Sequence, residues 1–277
     1  MFEFRDKQFG DKGPMVMGIL NLTPDSFYAH SRINNISKLL DTAALMLEQG
    51  ADILDLGAVS TRPGAQTIGV EQERQRLLPA IRALCSQFPD SILSVDTYQS
   101  EIAKMAIDEG CAIINDISGG TFDPKMAPLI GGENIPYVLM HVHQRPETMQ
   151  NKPLNQEAFE QVKQFFLHQV QHFESYGARQ LVLDPGFGFG KTIEANFDLL
   201  RQLNQLSINQ LPILVGFSRK SMIYKTLNIE PENALNGTTV LNAFALQQGA
   251  SILRVHDVKA AKECVRLYNL MVQPFAK

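Results

Sequence analysis

The sequence predicts a (β/α)8 TIM barrel, an α/β fold in which eight parallel strands form a closed sheet surrounded by helices. One observation is a pattern that occurs four times: a glycine, a short aliphatic run and a polar residue, starting at Gly50, Gly110, Gly177 and Gly249. Another is the spacing of these glycines, which lie 60, 67 and 72 residues apart. Each interval is long enough for two strand–helix units. We therefore expect one barrel domain across residues 1–277.

The individual elements follow from the residues around each glycine. Helix-forming segments precede the four glycines at 39–49, 102–109, 159–176 and 235–248, and glycine is common just after a helix end. Four more aliphatic runs, at 15–20, 92–95, 136–140 and 213–215, supply the intervening strands. Continuous apolar strands that alternate with helices are typical of a parallel sheet covered on both faces. An open doubly wound sheet is the alternative, but it gives no reason for four similar double units.

The composition excludes several classes of protein. The net charge of −4 gives no general attraction for nucleic acid or anionic membranes. Apolar runs stay short of the roughly 18 residues that a membrane span requires, and the first residues are too charged for a secretory signal. Three scattered cysteines indicate neither a disulfide framework nor a zinc site. His141 and His143 could begin a zinc site, but no third ligand accompanies them, so we favour packing roles. We expect a cytoplasmic protein.

Polar residues follow the last apolar residue of every predicted strand. They are Asn21, Asp55, Asp96, Asn115, His141, Asp184, and the segments 216–220 and 254–256. The carboxyl ends of barrel strands share one rim, where active sites are built. A single such residue is commonly a cap, and Asp96 could cap the next helix. Eight on one rim indicate a site.

The acidic part of this rim suits a flat heterocycle. A carboxylate such as Asp96 or Asp184 can accept two parallel hydrogen bonds from an amidine edge, while Asn115 can both donate and accept. The stretch DPGFGFGKT at 184–192 ends like a nucleotide-binding loop, but Pro185 stands where that motif needs glycine. We interpret its glycines as allowing close approach to a planar ligand. Phe187 and Phe189 could contact that ligand or simply pack the loop.

The basic part of the rim follows the last two strands. Lys220 comes after the seventh strand, while Arg254 and His256 alternate after the eighth and so point the same way. Loops at these positions often bind phosphate in barrels. Arg62 could add an anion ligand, and Asn21 could join a hydrated Mg²⁺ on a phosphate. No Ser–His or Cys–His pair is evident. The residues alone thus predict an enzyme that binds an amino-pyrimidinone-like ring beside an anionic leaving group.

Seven motifs in chain order resemble the dihydropteroate synthase family. They are LNLTPDSF at 20–27, STRPG at 60–64, SVDT at 94–97, NDI at 115–117, DPGFGFGKT at 184–192, GFSRKS at 216–221 and RVHDV at 254–258. The resemblance extends from about residue 14 to the C-terminus. Each motif is weak alone, but seven in the family's order are specific.

The resemblance implies an activity and a set of site residues. Members join p-aminobenzoate to 6-hydroxymethyl-7,8-dihydropterin pyrophosphate and release pyrophosphate, in folate biosynthesis. They are Mg²⁺-dependent barrels, usually homodimers, and the target of sulfonamides. By matching positions, the pterin would be held by Asp96, Asn115, Asp184 and Lys220. Pyrophosphate and its Mg²⁺ would be held by Asn21, Arg62, Arg254 and His256. The p-aminobenzoate site would be bordered by Thr61, Arg62, Phe189, Lys220 and Ser221, with Phe27 approaching from the first loop.

The implied reaction is substitution at the pterin methylene carbon, with early departure of pyrophosphate. Asp96 and Asp184 would stabilise the cationic ring, and Arg254, His256 and Arg62 the leaving anion. Positioning and electrostatics would provide most of the catalysis. By analogy alone, helices at 235–248 and 258–271 are candidates for the dimer contact.

The sequence departs from the family pattern in three loops. Ala29 replaces a loop aspartate, Val59 replaces a glutamate, and residues 143–145 read His-Gln-Arg instead of Gln-Gly-Thr. The pterin residues are retained. Two alternative functions follow: a pterin-binding paralogue without synthase activity, and a folate-dependent methyltransferase. The methyltransferase would not need Ser218-Arg219-Lys220 or Thr61-Arg62-Pro63.

Overall fold

The strands form the barrel that the sequence predicts. The computed structural model describes residues 2–22, 32–58 and 68–272. Its strands are β1 Phe2–Phe4, β2 Lys7–Phe9, β3 Met15–Asn21, β4 Ile53–Gly57, β5 Ile92–Asp96, β6 Ile113–Asp116, β7 Tyr137–Met140, β8 Leu181–Asp184, β9 Ile213–Val215 and β10 Ala250–Val255. Strands β3 to β10 close into a parallel barrel in which β10 pairs with both β3 and β9. The closed order excludes the open-sheet alternative.

Helices surround the barrel and connect successive strands. They are α1 Arg32–Glu48, α2 Val70–Gln87, α3 Ser100–Asp108, α4 Met126–Glu133, α5 Ala158–Ser175, α6 Ile193–Arg201, α7 Ser221–Leu227, α8 Leu235–Gln247 and α9 Val258–Val272. Each of the four repeat glycines lies just beyond a helix end, with φ between 91° and 103°. Since L-residues avoid this region, the helix-ending role of these glycines is confirmed. Within the described ranges, no helix is long and apolar enough to cross a membrane.

Alternation along the strands divides the barrel interior into an apolar and a polar layer. The apolar layer lies towards the amino ends and includes Met17, Ile53, Ile92, Ile113, Val138, Val182, Leu214 and Ile252. Two residues further along the strands, the same inward direction is taken by Asp55, Ser94, Asn115, Met140, Asp184, Gly216 and Arg254. We predicted these polar residues at the strand ends, just after the last apolar residue of each run. Asp55, Asp96, Asn115 and Asp184 lie within the strands, because the backbone pairing continues through these positions.

An antiparallel hairpin covers the amino-terminal end of the barrel, an element that the sequence analysis did not predict. Strands β1 and β2 place Phe2 and Phe9 against the apolar layer, with ring centroids 5.6 Å apart. Lys7 ties the hairpin to the α2–β5 connection by donating to the carbonyl oxygens of Pro89 and Ser91. The hairpin gives that end an apolar cover, while the polar layer lies towards the opposite end.

Candidate active site

A largely buried network of three charged side chains joins three strands inside the mouth of the barrel. Arg254 on β10 donates from Nε to Asp55 Oδ2 at 2.7 Å and from Nη2 to Asp96 Oδ2 at 2.9 Å. Burial raises the pKa of Asp96 to about 7, although the Arg254 cation opposes this rise. The capping alternative for Asp96 is not what the structure shows, since the α3 backbone N–H of Ser100 donates to Asp123 instead.

Asp55 is the centre of this network, although sequence reasoning placed it on the rim without giving it a role. Its side chain is fully buried. Besides the arginine, it accepts hydrogen bonds from Ser94 Oγ at 2.6 Å and from Asn115 Nδ2 at 3.0 Å. It therefore orients both the guanidinium of Arg254 and the amide of Asn115. The alternation of side chains along β4 predicts that Asp55 points inward, but it does not predict the partners of Asp55.

Asp184 ends β8 next to the glycine-rich loop. Its Oδ1 accepts the backbone N–H of Gly186 at 2.8 Å. Burial raises the pKa of this carboxyl, and the Lys220 cation is the largest opposing influence. Gly186 has φ +67°, and a Cβ there would lie 2.0 Å from the carbonyl oxygen of His141. The turn that anchors Asp184 therefore requires glycine.

The side chain of Lys220, which follows β9, lies against the glycine-rich loop that follows β8. Its Nζ donates to the carbonyl oxygen of Phe187 at 2.7 Å and lies 4.7 Å from the centroid of the Phe189 ring. A Cβ on Gly188 would approach Lys220 Cδ to 3.2 Å, so the small residue gives the lysine its path. Burial lowers the pKa of Lys220 to about 8. Phe187 is fully buried and packs on Phe217, so Phe189 is the phenylalanine of this loop that lies beside Lys220.

His256 lies beyond Arg254 on the last strand–helix loop. Its Nδ1 is 2.9 Å from Ser218 Oγ, and its backbone N–H also donates to that oxygen. Burial and the nearby Arg219 and Arg254 cations lower the pKa of His256 to about 4, so the imidazole is neutral at pH 7. This Ser–His contact was not evident in the sequence. Ser218 is 5% exposed, and the contact fixes the orientation of the histidine ring.

The loop after β9 is braced against the loop after β10. Arg219 has φ +58° and pairs through Nη2 with Asp257 Oδ1 at 2.9 Å. The neighbouring Ser221 begins α7 and is half-buried. Arg219 thus links the loop that carries Lys220 to the loop that carries His256.

The remaining predicted residues lie at the edge of this site or outside the described ranges. Asn21 is exposed at the end of β3, with Oδ1 near Gly57 on β4. Three predicted ligands, Phe27, Thr61 and Arg62, lie outside the described residues, as do the altered positions Ala29 and Val59.

The altered segment 143–145 follows β7 on the same rim. Arg145 is exposed, with its guanidinium 4.4 Å from the centroid of the Phe122 ring. The preceding His141 is buried and meets the Phe165 ring edge-on at 5.0 Å. Its position agrees with the packing role that we favoured. Arg145 is therefore a departure from the family pattern that adds a cation at the rim.

The arrangement combines hydrogen-bond acceptors with fixed charges. Asp96, Asn115 and Asp184 lie on β5, β6 and β8 at the mouth of the barrel, and Lys220 and Arg254 interact electrostatically with Asp184. The buried carboxyl groups of Asp55 and Asp184 and the partly buried Asp96 thus accompany two partly buried cations. Such a site can bind a planar ring with an amidine edge and stabilise positive charge on it.

A known protein-family model matches most of this chain. The model described as "Pterin binding enzyme" matches residues 17–256. Similar proteins include the dihydropteroate synthase of Synechocystis sp., which is 41% identical over 94% of this chain and 91% of its own length. The dihydropteroate synthase of Escherichia coli K12 is 41% identical over 92% of this chain and 90% of its own length.

Solved structures of similar proteins share the whole architecture. A Yersinia pestis dihydropteroate synthase in a sulfonamide drug complex has a TM-score of 0.90 and 37% identity, covering 98% of this chain and 99% of that one. The Thermus thermophilus enzyme in complex with 4-aminobenzoate has a TM-score of 0.84 and 37% identity, covering 97% of this chain and 98% of that one.

Proposed function

Because this chain belongs to the pterin binding enzyme family, we infer that it is a dihydropteroate synthase of folate biosynthesis. It joins p-aminobenzoate to 6-hydroxymethyl-7,8-dihydropterin pyrophosphate and releases pyrophosphate. The observation that carries this inference is the convergence of the predicted pterin residues Asp96, Asn115 and Asp184 in the barrel mouth, beside Lys220. Relatives crystallised with 4-aminobenzoate and with a sulfonamide drug support the same substrate class.

The pterin is recognised by its hydrogen-bonding edge. Asp184 accepts from the amidine-like edge of the ring, and Asn115, held by Asp55, supplies a complementary amide. Lys220 and Phe189 lie together along one side of this pocket. Because the acceptors are already held by the protein, binding requires little reorganisation.

The bond that breaks joins the pterin methylene carbon to a pyrophosphate oxygen. As it lengthens, positive charge develops on the ring and negative charge on the leaving group. Asp96 and Asp184 stabilise the first, and Arg254 and His256 the second. His256 is neutral in the free chain, so it assists as a hydrogen-bond donor or gains a proton when the anion arrives. The aniline nitrogen of p-aminobenzoate then forms the new bond to carbon and loses a proton to solvent water.

Magnesium fits this site as a hydrated ion attached to the substrate. Asn21 offers a carboxamide oxygen at the exposed end of β3, and the part of the chain that the structure describes contains no cluster of three acidic, His or Cys ligands. Mg²⁺ commonly keeps several waters and takes few protein ligands beside substrate phosphates. When bound, it supplies positive charge to the leaving pyrophosphate.

The activity is tested with both substrates and Mg²⁺, by following pyrophosphate release and dihydropteroate formation. Asp184→Ala and Lys220→Ala should each abolish turnover, because each removes a charged contact to the ring. Lys225→Ala is the matched control, since Lys225 is exposed on α7. Near-normal rates in the two site variants would contradict their roles.

Two other functions would give different results. Pterin binding by calorimetry without any product would favour the paralogue, for which the altered loops provide a reason. Transfer of a methyl group from a folate would favour the methyltransferase. The presence of Ser218, Arg219 and Lys220, with Lys220 inside the pocket, supports the synthase over the methyltransferase.

We also propose that the chain forms a homodimer through α8 and α9. Eight of the eleven exposed large hydrophobic side chains in the described ranges lie on α7, α8 and α9: Leu227, Leu235, Val240, Phe244, Leu267, Leu270, Met271 and Val272. Burial of such a surface would favour association. Sedimentation should give twice the chain mass, and Phe244→Glu with Leu267→Glu should give monomers. A monomeric wild-type chain would refute the dimer.

The same enzyme is proposed to act in the cytoplasm. The three cysteines, Cys85, Cys111 and Cys264, are free thiols, which agrees with a reducing compartment. Fractionation of cells that express the full chain would test this location, and recovery outside the cytoplasm would contradict it.

A further inference from the structure

Lys191 is buried behind the glycine-rich loop and donates to three backbone carbonyl oxygens. Its side chain resembled the lysine of a phosphate-binding loop in the sequence, yet the residue is only 4% exposed. Nζ lies 2.8 Å from Gly186 O, 3.1 Å from Phe189 O and 3.3 Å from His141 O. An ammonium group has three N–H donors, so all of them are used on main chain.

Burial makes this arrangement costly for the protein. It lowers the pKa of Lys191 to about 7, although the Asp184 carboxylate opposes the fall; the Lys220 cation lowers it further. The neighbouring His141 is kept neutral, because burial and the Lys191 charge lower its pKa well below the usual value. A hydrophobic side chain would fill the same space without a desolvation cost, but it would remove the ammonium donor from three carbonyl groups, of which, among the described residues, Gly186 O alone keeps a second donor, the Phe189 N–H.

The loop itself has little intrinsic rigidity. Gly186, Gly188 and Gly190 all have positive φ, at 67°, 81° and 65°, and glycine restricts the backbone least of all residues. Other bonds hold individual amides: Gly188 N–H donates to Asn196 Oδ1 at 2.7 Å, and Phe189 N–H to Gly186 O at 3.1 Å. The Lys191 ammonium joins this loop to the end of β7 through His141 O.

We propose that Lys191 is a positioning residue of the pterin site. Its ammonium ties the carbonyl groups of Gly186 and Phe189 to β7, and thereby holds the Asp184 carboxylate and the Phe189 ring where the pterin meets them. Lys191 itself touches no substrate. The inference rests on the proposed function, because it takes Asp184 and Phe189 as pterin-site groups.

The experiment compares Lys191→Met with the wild-type chain and with Lys262→Met. Methionine is an unbranched side chain only one heavy atom shorter than lysine, and it removes the charge and the donors. Lys262, on the outer helix α9, is the matched control. Its Nζ is partly buried and lies 2.8 Å from both carboxylate oxygens of Asp52. Calorimetry with 6-hydroxymethylpterin should show affinity weakened by about tenfold or more in Lys191→Met, and within about twofold of wild type in Lys262→Met.

Kinetics separate positioning from general destabilisation. In Lys191→Met, KM for the pterin substrate should rise about tenfold, while kcat at saturation changes by less than about threefold. A fall in kcat with unchanged KM would mean only that fewer molecules are folded, and would overturn the proposal. Equal pterin affinity in the wild type and Lys191→Met would overturn it as well.

Hydrogen exchange of the free chain gives a readout that is independent of pterin. The amides of Gly186, Gly188 and Phe189 should exchange about tenfold faster or more in Lys191→Met but not in Lys262→Met. Unchanged exchange rates in Lys191→Met would refute the stabilisation of the loop by Lys191. If Lys191→Met does not fold, Lys191→Gln replaces it in the experiment, because glutamine keeps two N–H donors. Lys191→Gln is expected to show the same changes in pterin affinity and exchange rate, but smaller ones. Wild-type affinity and exchange rates in Lys191→Gln would refute the proposal. A wild-type chain that fails to bind pterin would refute the proposed function. The exchange rates would still show whether Lys191 stabilises the loop.

Discussion

Replacing Asp55 by alanine should disrupt the polar layer of the barrel more than any change to an exposed salt bridge. The carboxylate is fully buried and accepts from Arg254 Nε, Ser94 Oγ and Asn115 Nδ2 at 2.7, 2.6 and 3.0 Å. Alanine leaves three buried donors without this acceptor, one of them a cation. Among the described residues, Arg254 then retains its bond to Asp96.

The expected cost is about 3–5 kcal/mol in the free energy of unfolding, the range found when one partner of a buried ion pair is removed. The bond from Arg254 to Asp96 persists, so we expect the lower end of this range. Asp55→Asn should cost less, about 1–2 kcal/mol, because its oxygen can still accept from Arg254 and Asn115. Its amide nitrogen then faces Ser94, whose hydroxyl can rotate to accept.

Urea-induced unfolding followed by circular dichroism measures these differences, and the synthase assay measures turnover on the same samples. Turnover should fall in both variants, since Arg254 loses the charge of one of the carboxylates that hold it. Asp52→Asn is the control: Asp52 pairs with Lys262 at 2.8 Å but is 35% exposed, so it should cost at most about 1 kcal/mol. If Asp55→Ala were no more destabilising than this control, the network would not stabilise the barrel as argued.

Three further outcomes are expected. Burial lowers the pKa of Lys220 to about 8; the cation is therefore present below pH 8 and lost above it, so kcat/KM should fall as pH rises through 8. A wild-type kcat/KM that did not fall as pH rises through 8 would contradict this reasoning. Gly186→Ala places a Cβ 2.0 Å from His141 O at φ +67°, and should weaken calorimetric pterin binding by about tenfold or more; unchanged affinity would contradict the tight turn. Thr192→Ala removes the side-chain oxygen that accepts from Ala195 N–H at the start of α6, and should cost about 1 kcal/mol in urea unfolding with normal turnover; a stability equal to wild type would contradict the cap.

Local signals in the sequence were sufficient for the barrel. Each repeat glycine ends a helix through its own backbone freedom, and each strand is a contiguous apolar run, so neither depends on distant residues. The rim acids followed because the carboxyl ends of parallel strands meet. The hairpin β1–β2 was missed, since its three-residue strands are too short to show a period of two.

The partners of the polar residues were decided only by the tertiary structure. Asp55 and Arg254 are 199 positions apart in the chain, and barrel closure brings them together. Likewise, Phe187 and Phe189 look equivalent in sequence, but only Phe187 packs on Phe217, which leaves Phe189 beside Lys220. Lys191 resembled half of a phosphate motif until the folded loop turned its ammonium inward onto three carbonyl groups. The sequence by itself determined the fold and which residues the rim presents, because hydrophobic periodicity and glycine act locally. The pairing of charges depended on barrel closure, because Coulomb and hydrogen-bond energies act between groups that only the folded chain brings together.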